Sequence, residues 1–122
     1  MKTSSGKQKG RRLQQWTVDQ LLETFLKLTH DDVRSTSMGA SGSDVQLSTR
    51  AKELIPLEFE CKNTERFQIW SAFEQAESNC GDREPCVIAK RNGSAPLAIV
   101  DAEWLMTNLN KLNWGVKHGV HE

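Results

Sequence analysis

Apolar and charged residues alternate without interruption through Leu57, Glu58, Phe59, Glu60, Cys61 and Lys62. In an extended chain successive side chains point to opposite faces, so Leu57, Phe59 and Cys61 share one face and Glu58, Glu60 and Lys62 the other. This strand needs an apolar partner on one side. On the other side it carries two carboxylates and an ammonium, which are costly unless solvated, paired or bound to a metal.

The flanking sequence supplies cover. Val18, Leu21, Leu22, Phe25 and Leu28 recur at helical spacing and predict a first helix over about 10–28. A β-prone piece, Val33 to Thr36, leads into a small-residue loop over 37–43, and Asp44 to Leu47 then alternates as a strand does. Ser48 is placed to cap a short helical turn through Leu54, which Pro56 stops. A further helix is expected to carry Phe67, Trp70, Phe73, Ala76 and Cys80 on one stripe. After a turn at 81–85 come strands Cys86 to Lys90 and Leu97 to Val100, joined by Asn92-Gly93-Ser94. Asp101 is a good N-cap for a last helix to about Leu112. The order α-β-β-β-α-β-β-α predicts a single α/β domain, a central mixed sheet flanked by helices, over 10–113. A basic flexible arm (1–9) and a C-terminal tail (114–122) flank it.

Length and charge narrow the class. The 122 residues fit one domain, and sixteen basic groups balance sixteen acidic ones. Distribution matters more than the sum: Lys2, Lys7, Lys9, Arg11 and Arg12 crowd the first twelve residues with no acid among them. That arm reads either as a solubilising tail or as a phosphate-binding one whose affinity falls with salt. No run approaches the roughly 18 apolar residues of a membrane span, and the N-terminus lacks the apolar centre of a secretory signal. Three cysteines without framework spacing fit a reducing, cytoplasmic setting. Cys61, Cys80 and Cys86 with His118 and His121 match no zinc spacing.

Asp44 opens the strand expected beside Leu57–Lys62. Adjacent strands lie about 4.8 Å apart, so one carboxylate from each can share a divalent cation. Hard cations such as Mg²⁺, with Mn²⁺ as a substitute, take carboxylate, carbonyl and water oxygens. Asp44, Glu60 and the backbone carbonyl of Cys61 would make such a set, with Lys62 beside it to position water or offset phosphate charge. The plain alternative is a solvated Glu/Lys face.

Gly42-Ser43-Asp44 followed by Glu60-Cys61-Lys62 resembles the PD-(D/E)xK signature of the restriction-endonuclease-like nucleases, with Ser43 where that signature has proline. The wider pattern adds Lys9-Gly10 opening a helix, the Ser-Gly-Ser loop before Asp44, and Gly81 to Pro85 leading to a strand that ends Lys90-Arg91. Over about residues 7–105 it is similar to the archaeal-type Holliday junction resolvases and related small nucleases of tailed phages. The resemblance implies a restriction-endonuclease-like fold and a Mg²⁺-dependent homodimeric endonuclease that resolves four-way or other branched DNA by paired phosphodiester cuts. Such an enzyme would act in the cytoplasm, the host's if phage-encoded.

It also implies an acidic residue on the first helix where this chain has Gln14, with Gln15 next to it. A loop serine, Ser41 or Ser43, would bind phosphate or hold a catalytic water, and Gln75 would stand near the site. Lys7, Lys9, Arg11, Arg12, Arg34, Ser41, Lys90 and Arg91 are the candidate DNA contacts. Trp16, opposite the apolar stripe, is a candidate for a subunit interface. Three rivals stay open: a non-catalytic DNA-binding relative, a nickase or restriction-type nuclease of duplex DNA, and an adaptor with a solvated strand face.

Overall fold

The computed structural model describes residues 2–37 and 42–111. Helix α1 (Lys2–Thr24) is followed by β1 (Val33–Ser35), β2 (Val45–Leu47), α2 (Thr49–Leu54), β3 (Leu57–Asn63), α3 (Ile69–Asn79), β4 (Glu84–Lys90), β5 (Leu97–Val100), α4 (Ala102–Asn108) and a short 3-10 turn (Leu109–Lys111). Ser48 caps α2 by accepting from the Ala51 amide, and Asp101 caps α4 by accepting from that of Trp104, as their positions before helical runs predict.

The strands form two sheets. β1 and β2 pair antiparallel, Val33 opposite Leu47 and Ser35 opposite Val45. β3 pairs parallel with β4, Glu60 opposite Val87, and β4 antiparallel with β5. The parallel pair needs a crossover, and α3 supplies it. The result is one small α/β domain with a mixed sheet and an antiparallel sheet flanked by helices.

The alternation in β3 sets the layers. Phe59 and Cys61, with Cys86 and Ile88 of β4, face a core shared with Leu13 and Val18 of α1 and with Val33 and Val45 of the small sheet. The opposite face, with Val87 and Ala89, packs against Ala72 and Ala76 of α3. A wholly buried Val or Ile side chain contributes about 1.5–3 kcal/mol, so Ile55, Val18, Val33, Val45 and Val87, the largest fully buried aliphatic side chains, are costly to truncate.

Three expectations need correction. Helix α1 begins at Lys2 rather than near Gly10, so the basic segment is helical and not a loose arm, and it ends at Thr24 instead of Leu28. A glycine inside a helix costs only about 1 kcal/mol relative to alanine, and the lysines, glutamine and arginines around Gly6 and Gly10 favour helix. Trp70 does not join the α3 stripe: it is 82% exposed. It lies off the arc set by Ala72, Phe73 and Ala76, and only that arc meets the sheet. Ser41 and the tail 114–122, with His118 and His121, lie outside the described residues.

Candidate functional site

The three charges on one face of β3 meet three different environments. Glu58, at the N-terminal end, is paired with Arg83: Nε to Oε2 is 2.6 Å. The same guanidinium donates to the carbonyls of Lys52, Ile55 and Leu57, tying the end of α2 to the start of β3. Glu60, two residues on, is 4% exposed and, among the described residues, has no cation bonded to it. It accepts from Asn79 Nδ2 at 3.1 Å. Lys62 opens onto a cleft of about 350 Å³.

Asp44 comes to Glu60 because the small sheet abuts the free edge of β3. The Asp44 amide donates to the Phe59 carbonyl at 3.0 Å, and its Oδ2 accepts from the Cys61 amide at 2.7 Å. Asp44 thus takes the place of a ladder partner at that edge, and its carboxylate is held beside Glu60. Burial, then the neighbouring Asp44 carboxylate, pushes the Glu60 carboxyl up to about 7, against the Asn79 hydrogen bond and the Lys62 charge. Two acids this close disfavour a second negative charge. A strand residue projects its N–H and C=O from one edge, so the Cys61 carbonyl leaves β3 on the Asp44 side. The Cys61 thiol points the other way, beside the Thr17 hydroxyl at 3.6 Å. Burial pushes it up to about 12, which makes it a core group and not a nucleophile.

Asp44, Glu60, Cys61 and Lys62 line one cleft, and Gln14, Lys7, Gln75, Thr36 and Ser37 complete its walls with Gly6 and Gly10. Gln14 is the residue α1 sends here. It is 7% exposed, and Ser35 Oγ donates to its Oε1 at 2.6 Å. Gln15 turns outward and donates to Asp19. Of the two adjacent glutamines, Gln14 belongs to the cleft.

Several candidates stand elsewhere. The Ser43 hydroxyl donates to the Asn79 carbonyl at 3.3 Å, and its residue lines a different cleft, with Arg34, Asp31 and Lys52. Lys90 and Arg91 border an apolar groove with Phe67, Ile69 and Leu97. Arg11 and Arg12 are exposed on α1, and Lys9 is fixed by its carbonyl, which accepts from Asn63. The sequence reading missed Ser35 and Asn79. Each acts on a site residue through one side chain, and nothing in its local sequence separates it from an ordinary strand or helix-end residue.

Among the described residues no group of three or more His, Cys, Asp and Glu side chains is arranged to hold a metal, so the cleft's acidic content is the Asp44–Glu60 pair. No described helix is long and apolar enough to cross a membrane. No family model, no curated protein and no solved structure matches the chain.

Proposed function

We propose that the protein is a metal-dependent endonuclease of restriction-endonuclease-like fold that cuts branched DNA, four-way junctions above all, as a homodimer. The observation that carries this reading is the convergence of Asp44 and Glu60, from separate segments, on a cleft that also holds Lys62.

The donors fit a hard divalent cation such as Mg²⁺ or Mn²⁺. Glu60 is buried beside a second carboxylate with a neutral amide as its bonded partner, a combination that a cation would relieve. Asp44, Glu60 and the Cys61 carbonyl would hold it. When bound it would stabilise the charge developing on the phosphate and lower the pKa of adjacent water. The Asn79 amide fixes the Glu60 carboxylate, and the Cys61 amide fixes that of Asp44. Lys62, which lines the same cleft, would offset charge on the scissile phosphate or position the attacking water. In the reaction water adds to phosphorus, the P–O bond to the leaving oxygen breaks, and the proton that the water gives up ends on the departing alkoxide.

The wider resemblance over about residues 7–105, beyond the D…ExK triplet, supports the choice of branched DNA, and the requirement for paired cuts in opposing strands supports a twofold dimer. Gln14 favours a second reading, a DNA-binding relative without turnover, because it brings an amide where the family pattern has an acid.

The test is Mg²⁺-dependent cleavage of a labelled four-way junction against linear duplex. Junction cleavage by the wild type and none by Asp44→Asn is the expected result. Binding without cleavage would select the non-catalytic relative, and equal cutting of linear duplex a nickase or restriction-type enzyme.

A further inference from the structure

Over its C-terminal half α1 turns Leu13, Thr17, Val18 and Leu21 toward the body of the protein. Gly6, Gly10 and Gln14 follow one another at four-residue steps on that same face, one turn after another along the rim of the carboxylate cleft. Among the described residues nothing packs against the two glycines: a Cβ built on either meets no atom within 4 Å. Glycine is the poorest helix former apart from proline, and here no internal contact excludes a side chain. Among the described residues, therefore, nothing uses the bare surface as a packing face.

Gln14, at the end of that line, provides an independent observation. It is 7% exposed, and its oxygen is engaged by the Ser35 hydroxyl. Among the described residues its amide nitrogen has no hydrogen-bond partner, while the residue lines the cleft. With its oxygen already accepting from Ser35, the unengaged group that Gln14 presents is an N–H donor. A donor suits a phosphate oxygen and does not suit a cation.

We infer that the Gly6–Gly10–Gln14 face of α1 is a docking track for a nucleic-acid strand: the sugar–phosphate backbone lies against the bare helix, and the Gln14 amide donates to a phosphodiester oxygen next to the one attacked. This deepens the nuclease reading and rests on it. It gives Gln14 a role in gripping substrate, and it leaves Asp44 and Glu60 as the whole acidic set. Lys7, between the glycines and on the cleft wall, supplies charge to the same strand.

The test is made in an Asp44→Asn background, where binding is read without cleavage, by fluorescence anisotropy of a labelled four-way junction alongside thermal unfolding. Gly10→Ala is expected to raise the melting temperature by a few degrees while weakening junction binding about tenfold. Gln14→Leu is expected to weaken binding by a similar factor, roughly what one hydrogen bond to a charged group is worth. Gln8→Ala, on the exposed opposite side of the helix, changes binding little. Undiminished affinity in either Gly10→Ala or Gln14→Leu would overturn the track. If Gly10→Ala fails to fold, Gln14→Leu decides alone. Cleavage of junctions by the wild type with no effect of these substitutions on binding removes the track and keeps the nuclease. Binding that depends on them, without cleavage by the wild type, keeps the track and removes the nuclease. No binding of the junction at all removes both.

Discussion

Glu58 and Glu60 are two residues apart on one face of one strand, and the protein treats them in opposite ways. Glu58 is closed off by Arg83, whose guanidinium also holds three backbone carbonyls. Glu60 is buried more deeply and set beside Asp44. The first arrangement satisfies its charges internally and fastens α2 to β3. The second leaves an electrostatic debt that only a proton or an added cation can settle. A carboxylate buried with its counter-ion reads as architecture, whereas one buried with another acid reads as a site.

Charge removal should therefore have opposite consequences at the two ends of β3. At the Glu60 end, Asp44→Asn keeps an acceptor for the Cys61 amide but halves the acidic pair. Junction cleavage should fall by roughly a thousandfold or more, about 4 kcal/mol of transition-state stabilisation, while the metal-free protein unfolds no earlier than wild type. Cleavage within tenfold of wild type would refute the assignment of Asp44.

At the Glu58 end, Arg83→Met should cost roughly 2–3 kcal/mol of stability in chemical denaturation, because Glu58 then stays largely buried without its partner. Adding Glu58→Met should recover most of that loss. A single variant as stable as wild type would show that the Arg83 network is not the fastening described here.

The pH dependence of stability sharpens the contrast. In the unfolded chain Glu60 ionises near pH 4.5, and in the folded, metal-free protein only near pH 7. Between those values the folded state binds the extra proton. Its contribution is therefore full below pH 4.5 and is lost as pH rises to about 7, by at most roughly 3 kcal/mol. In EDTA, Glu60→Gln should flatten that slope and leave the variant more stable than wild type above pH 7. Parallel stability curves for the two proteins would remove the coupled-acid account.

Mg²⁺ acts on the same debt. At about ten times its dissociation constant it should stabilise the wild type by roughly 1.4 kcal/mol, read as a rise in melting temperature at pH 8. Asp44→Asn should show little of that rise. Equal rises in both would mean that the ion binds elsewhere.

What the sequence made legible follows the range of the forces involved. The two faces of β3, the Ser48 and Asp101 caps and the span Leu97–Val100 follow from local alternation and capping, and the structure has them there. The extent of α1 was not legible, because Gly6 and Gly10 read as breakers when neighbouring residues carry the helix through them. Trp70 misled because apolar character was taken for burial, while a helix against a sheet buries only the arc that faces it. Within the site, Asp44, Glu60 and Lys62 could be named from their spacing. The choice of Gln14 over Gln15 needed the rotation of α1, and Asn79 needed the return of α3 over β3.

The smallest expected effect concerns Ser43, whose place next to Asp44 invites a catalytic role. Its hydroxyl donates to the Asn79 carbonyl, its own carbonyl accepts from Thr36 Oγ1 at 2.6 Å, and Asn79 in turn holds Glu60. Ser43 thus steadies the group that steadies Glu60, one step removed from the proposed chemistry. Ser43→Ala should cost about 1 kcal/mol of stability or less, since a single half-buried hydrogen bond is lost. Its effect on junction cleavage should stay within about threefold, below the roughly hundredfold loss on removing a group that handles the reacting water. A hundredfold loss with unchanged stability would place the Ser43 hydroxyl at the phosphate, and would mean that the loop before Asp44 turns into the cleft when DNA is bound.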